Sequence, residues 1–258
     1  MDVVFSKDGN WVAYVTFPDG DLWRSKIDGT QKVQLTFSPM EVHAPRWSPD
    51  GKQIAFMGRD PGKMWRIYLA PSEGGSERVL TGAGSESQAA PDWSPDGGSL
   101  VFSGLPEELS GDSSATAIHI FDLKSKAIST VSGSVGLYCP RWSPTGRYIS
   151  ATSSEGSKLM LFDVARLQWS TLNELHEGCP AWSRNGDFLY FQSFDVSTPE
   201  FSRVRVSNGK REHIASIDFR RGGQRDWYWW NGLTPDGDPI VLRDESNEEI
   251  YALDWKLP

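Results

Sequence analysis

The sequence predicts an all-β chain: a six-bladed β-propeller of four-stranded antiparallel blades, with the last blade three-stranded. Three observations carry this expectation. One turn motif recurs six times, short strand-like runs follow each copy, and no stretch sustains the 3.6-residue period of a helix.

The turn is the clearest signal. "RWSPDG" at 46–51 returns as "DWSPDG" at 92–97, "RWSPTG" at 141–146 and "AWSRNG" at 181–186. Weaker copies bracket these, "VFSKDG" at 4–9 and "GLTPDG" at 232–237. Measured from the aromatic or its stand-in (Phe5, Trp47, Trp93, Trp142, Trp182 and Leu233), the steps are 42, 46, 49, 40 and 51 residues. Ser-Pro-Asp-Gly specifies a turn by chemistry. Pro presets φ, Asp bonds its own backbone, and Gly accepts a positive φ.

Strand-like runs follow every turn. The first set reads "WVAYVTF", "KQIAFMG", "SLVFSG", "RYISATS", "DFLYFQS" and "PIVLRD". A second set includes "WRIYLAP", "AIHIFDL" and "KLMLFDV", and a third set closes most copies. With the strand ahead of the turn, each copy supplies four strands. Runs such as "IAFM", "LMLF" and "FLYF" are apolar on both faces, as expected for sheets covered by neighbours on either side. The expected blades are 1–38, 43–81, 89–132, 138–172, 178–217 and 227–258. The sixth copy has three strands and no residues remain to complete it, so the ring is expected to close by side-chain packing of blade six on blade one. The aromatic run Trp227-Tyr228-Trp229-Trp230 sits where other copies carry the inner strand. Packing between blades explains it better than a stacking platform.

Composition bounds the function. Lys+Arg is 26 against Asp+Glu 34, a formal net charge of −8. This argues against a general nucleic-acid binder and against docking on an anionic membrane. No 18-residue apolar span is present, and "MDVVFSKDGN" does not read as a signal peptide. Met1 runs directly into strand-like sequence, which fits a domain cut from a longer chain. The two cysteines, Cys139 and Cys179, occupy the same place in adjacent copies, each before a Pro. Because neighbouring blades splay apart, two buried free thiols are expected.

Copies built as "PRWSPDGKQIAF", "IYLAP" and "GGSERVLT" resemble the TolB-like β-propeller repeat, a bacterial relative of the WD40-type repeat. The resemblance covers nearly the whole chain. The closing segment "GLTPDGDPIVLRDESNEEIYALDWKLP", with "DGDLWRSKIDGTQKVQLT" near the start, is similar to C-terminal propellers of large acidobacterial regulators. In those proteins the propeller follows a winged-helix DNA-binding domain or a serine/threonine kinase domain, often across a membrane segment. The resemblance implies a sensory or scaffolding role on the extracytoplasmic, periplasmic side. It transfers no DNA-binding or kinase activity, since neither partner domain is in the sequence. "WSRNG" and "WSPTG" depart from the repeat but keep its turn chemistry. The aspartate box of sialidases fails to match, because Gly here directly follows Asp.

Candidate sites come from the loops that gather at one mouth of a propeller channel: 37–45, 82–91, 133–140, 173–180 and 217–228. They hold His43, Gln88, Tyr138 and His176. The longest, "IDFRRGGQRDW", places Arg220, Arg221 and Arg225 beside Trp227. These form either an anion-binding lip with an aromatic wall or, as favoured here, a solvated loop balancing an acidic surface. One residue before the reference position stand Arg46, Asp92 and Arg141, candidates for ligand contact but expected as a chain of structural ion pairs along the channel wall that binds nothing. Of the other histidines, His119 and His213 fall on outer strands, so a metal site is not expected.

Catalytic motifs are lacking: no GxSxG elbow, no HExxH and no phosphate loop. "GDSS" at 111–114 and "GAGSES" at 82–87 are read as loops. The expected function is a non-catalytic binding module, monomeric, with a protein or small-molecule ligand at the channel mouth. No cofactor is expected, and a structural Ca²⁺ in the channel has no support in the sequence. The alternative is a propeller enzyme with a channel metal, of sugar lyase or dehydrogenase type, or a peptidase-gating domain. Lyase chemistry needs convergent metal-competent side chains on inner strands, and the sequence offers only scattered ones.

Overall fold

The computed structural model describes residues 2–80, 86–105, 116–174, 178–193, 200–216 and 230–241. Among these, no residue is helical and the strands form five four-stranded antiparallel sheets and one two-stranded sheet. Blade one contains β1 (Val3–Phe5), β2 (Trp11–Val15), β3 (Leu22–Lys26) and β4 (Val33–Gln34). Blade two contains β5 (Glu41–Trp47), β6 (Gln53–Arg59), β7 (Arg66–Pro71) and β8 (Arg78–Val79). Blade three is β9 (Gln88–Trp93), β10 (Ser99–Gly104), β11 (Ile118–Asp122) and β12 (Ile128–Thr130). Blade four is β13 (Leu137–Trp142), β14 (Tyr148–Ser153), β15 (Lys158–Asp163) and β16 (Gln168–Glu174). Blade five is β17 (Ala181–Trp182), β18 (Phe188–Ser193), β19 (Glu200–Arg205) and β20 (Arg211–Ser216).

The six-bladed expectation is therefore corrected: among the described residues the propeller has five four-stranded blades. Among the described residues, the sixth copy of the turn joins β21 (Trp230–Leu233) to β22 (Pro239–Val241) as a hairpin. The physical reason is that a Ser/Thr-Pro-Asp-Gly turn specifies one hairpin and does not by itself supply the outer strands of a blade. This hairpin lies between the ends of the ring. Strand β21 contacts β18 of blade five and β1 of blade one. Strand β1 itself pairs with β2, within blade one.

Burial falls from the inside of each blade outward. Strands β6, β10 and β14 are buried on both faces, while β8 and β12 are exposed. Apolar clusters fill the spaces between blades. One joins Ala13, Val15 and Leu22 of blade one to Val42, Ile54 and Phe56 of blade two, and another joins Leu159 and Leu161 to Leu189, Phe191 and Val204.

The repeat tryptophans tie blade to blade. Trp47 Nε1 donates to Val4 O, Trp93 Nε1 to Arg46 O and Trp182 Nε1 to Arg141 O, at 3.3, 3.1 and 3.0 Å. In each case the acceptor stands one residue before the preceding blade's reference position. Trp142 departs from this: its indole donates within its own turn to Gly146 O, and its backbone N–H donates to Asp92 Oδ2 at 2.8 Å instead.

The turns repeat one hydrogen-bond set. Ser48 Oγ donates to Asp50 Oδ1 at 2.7 Å and accepts from Gln53 N at 2.9 Å, while Asp50 accepts from Lys52 N. Ser6, Ser94 and Ser183 act alike with Asp8, Asp96 and Asn185, and Thr145 serves in blade four. Bonds from these serines and from backbone N–H groups favour the ionised form, so the Asp8, Asp50 and Asp96 carboxyls lie below the usual range. Neighbouring turns also touch. A Cβ on Gly146 would meet Pro95, one on Gly97 would meet Pro49, and one on Gly9 would approach Pro235 within 3.1 Å. The last contact joins the sixth hairpin to blade one.

Candidate functional site

The inner strands of three blades carry the same irregularity. Ala44, Ala90 and Cys139, each three residues before the reference Trp and directly before a Pro, have φ of 50, 53 and 52°. The pairing register slips at each. His43 pairs with Met57 and Arg46 with Ala55, so three steps on β5 oppose two on β6. The same extra residue occurs in β9 and β13. This is a β-bulge, and Pro inside a strand is tolerated at such a place because the ladder is already interrupted. A left-handed conformation at a non-Gly residue costs on the order of 1–3 kcal/mol, and such strain clusters where side chains must be re-aimed. Side chains of the adjoining blade meet the displaced N–H groups. Ala44 N donates to Asp2 Oδ2 at 3.1 Å, and Cys139 N donates to Ser103 Oγ at 3.4 Å.

The bulge overturns one expectation directly. Cys139 and Cys179 form a disulfide across blades four and five, with Cα atoms 5.6 Å apart. Blades do splay outward, but both cysteines lie near the inner strands, where the blades converge. There Cys139, Cys179, Ala90 and Ala44 belong to one apolar cluster with Met57 and Phe102.

The bulge also sets charged side chains against the backbone of the inner strands. Arg46 and Arg141 each fold back so that Nη1 donates to the carbonyl of the preceding proline, Pro45 at 2.7 Å and Pro140 at 2.8 Å. Arg141 Nη1 reaches Ala90 O as well, and this side chain is only 6% exposed. Asp92 lies on the blade between them and accepts from Trp142 N. Burial raises the Asp92 carboxyl pKa despite the favourable charges of Arg141 and Arg46. Burial, and then the like charge of Arg46, bring the Arg141 guanidinium down to about 9. The expected chain of ion pairs is not formed: among the described residues, none of the salt bridges within 4.0 Å joins Arg46, Asp92 and Arg141. The carboxylate is held by a backbone N–H, and both guanidiniums by backbone carbonyls.

Sequence reading missed Asp2. It occupies in blade one the place of Ala44, Ala90 and Cys139, and that register was available as a signal. Burial opposes its ionisation, but the hydrogen bond and charge of His43 outweigh this and leave its carboxyl below the usual range. His43 Nδ1 stands 3.4 Å from Asp2 Oδ2, and the imidazole lies 5.4 Å from the Trp65 ring. Arg59 covers that indole at 4.4 Å and pairs with Glu41 at 2.7 Å. The Asp2 charge also favours the Arg141 cation.

The remaining candidates separate. Gln88 Oε1 accepts from Ile67 N at 3.3 Å, so it bridges blades two and three. It lines a side cavity of about 250 Å³ with Ser87, Phe102 and His119. Tyr138 is half-buried against the apolar cluster. His119 bonds Thr130 Oγ1, and burial lowers its pKa. His213 stands 3.3 Å from Glu200 on blade five's outer strands. His176, Arg220, Arg221, Arg225 and Trp227 lie outside the described residues. Among the described residues no three His, Cys, Asp or Glu side chains group as a metal site would require, and no helix is long and apolar enough to cross a membrane.

No family model matches the chain. It is 26% identical over 239 residues to an uncharacterised protein of Agrobacterium fabrum, covering 88% of this chain and 75% of that one. The Tol-Pal system protein TolB of Syntrophus aciditrophicus is 35% identical over 57 residues, 22% of this chain and 13% of the relative. Matches to curated peptidases span between 5% and 13% of their length, as in the 10% of dipeptidyl-peptidase 5 from Porphyromonas gingivalis. Among solved structures, a putative TolB from Agrobacterium tumefaciens superposes with TM-score 0.72 at 22% identity, over 93% of this chain and 87% of that one. An oligogalacturonate lyase in complex with manganese gives 0.62 at 15% identity, over 79% and 64%. The fold is that of a TolB-type β-propeller.

Proposed function

We propose that the chain is a non-catalytic binding module, the sensory or scaffolding part of a larger bacterial protein, that receives a peptide or small ligand at the bulged mouth of its channel. One observation carries this reading: the bulged inner strands bring Arg46, Asp92 and Arg141 from three blades to one level of the channel, below a lip formed by His43 and Trp65. Loops and irregular strand ends on a rigid scaffold are where proteins place recognition. The TolB-type fold supports a protein or peptide as the partner, although fold alone does not fix function. The Cys139–Cys179 disulfide supports an extracytoplasmic location, because such bonds persist in oxidising surroundings.

A thermal-shift screen with short peptides, sugars and divalent metals, each with and without EDTA, tests the proposal. A ligand at about a hundred times its Kd stabilises the folded state by about 2.7 kcal/mol, which raises the melting temperature by several degrees. The expected result is a rise with a peptide or organic ligand that EDTA leaves unchanged. A rise with one metal alone, abolished by EDTA, would favour the channel enzyme instead.

A further inference from the structure

We infer that Arg46 and Arg141 together form a carboxylate-binding site inside the channel, a conclusion that deepens the binding-module reading and rests on it. Each guanidinium uses Nη1 on backbone carbonyls, and among the described residues no other hydrogen-bond partner is found for either group. Their remaining N–H donors are therefore free to bind a ligand. Both arginines have the same local geometry, folded onto the preceding proline, so the two blades present matching donor faces. A guanidinium fork fits a planar carboxylate with two parallel hydrogen bonds.

Charge selects the ligand further. Asp92 accepts from Trp142 N, next to Arg141, and Asp2 accepts from Ala44 N, two residues before Arg46, so two carboxyls accompany the two positive groups. Because those carboxyls already offset the two guanidiniums, the site accommodates a singly charged carboxylate better than a phosphate dianion, which meets twice the repulsion from both acids. Burial and the like charge of Arg46 make the Arg141 cation costly. An anion between the two groups relieves that cost.

Calorimetric titration of the intact chain tests the site. The probes are N-acetylglycine, N-acetyl-Gly-Ala-Leu as free acid and as amide, and inorganic phosphate. Binding of the free-acid peptide with much weaker binding of its amide is expected. If N-acetylglycine also binds, a small organic acid suffices; if only the peptide acid binds, the carboxylate belongs to a peptide terminus. Arg46→Gln should weaken the free acid by about tenfold or more, the loss expected of a charge-assisted pair. Asp92→Asn should tighten it. Arg141→Lys, which keeps the charge but not the fork, should weaken binding while an unchanged melting curve confirms folding. Amide binding equal to that of the acid would overturn the inference and leave the binding-module reading standing. Phosphate bound as tightly as the acid, or no effect of Arg46→Gln, would also overturn it. So would the absence of any binding by the acids.

Discussion

The two ends of the propeller channel are built on opposite principles. At the turn end, five blades repeat one hydrogen-bond set, with the Ser at its centre buried in four of them. At the bulged end the backbone repeats in three blades, but the side chains it carries change sign, Arg46 and Arg141 flanking Asp92. Repetition marks what holds the ring together. Divergence on a repeated backbone marks what the ring presents.

The largest test of that contrast falls on the inter-blade tryptophans. Trp93 is 6% exposed and bonds blade two through Arg46 O. Trp93→Ala should cost about 3–5 kcal/mol, read as a lower midpoint in urea unfolding. A loss under 1 kcal/mol would show that blades do not depend on this latch. Next comes the Cys139–Cys179 bridge, with a sequence separation of 40 residues. Replacing both by Ser should cost about 3 kcal/mol, observable as a lower melting temperature, while the same protein under reducing agent should match the double variant. Identical melting with and without reductant in the wild type would contradict the bridge.

Ser94→Ala is a smaller change. The hydroxyl is buried, donates to Asp96 and accepts from Ser99 N. Its loss should cost about 1–2 kcal/mol, and Ser143→Ala in the next blade should cost a similar amount. Unequal losses would deny that the turns are equivalent. The smallest effect is the pH dependence of the turn carboxylates. The folded pKa values of Asp8, Asp50 and Asp96 are depressed, so they stabilise the fold above the unfolded value and lose that contribution as pH falls through the folded one. Melting temperature should decline below about pH 4, and Asp50→Asn should reduce the decline, since Asn185 already serves in blade five without a charge.

The turn end was legible because its chemistry is local, confined to Ser, Pro, Asp and Gly within a few residues. Counting turns overcounted blades, because the turn at Thr234–Gly237 makes a hairpin whatever follows it. The bulges had a sequence mark, Pro within an inner strand in "HAPRW", "AAPDW" and "YCPRW". Its meaning, a left-handed residue just before it, depends on strand register, and so does the direction in which Cys139 points. Asp2 was hidden for a related reason: its role depends on Ala44, a residue of another blade. Arg46, Asp92 and Arg141 were visible as a recurring position, but their backbone partners were not.

One experiment addresses the division between the two ends most directly: the ligand-induced shift in melting temperature with N-acetyl-Gly-Ala-Leu, in wild type, Arg46→Gln and Ser94→Ala. Arg46→Gln should melt near the wild-type temperature and lose the shift, whereas Ser94→Ala should melt lower and keep it. An intact shift in Arg46→Gln, or its loss in Ser94→Ala, would contradict the assignment of recognition to the bulged end and stability to the turns.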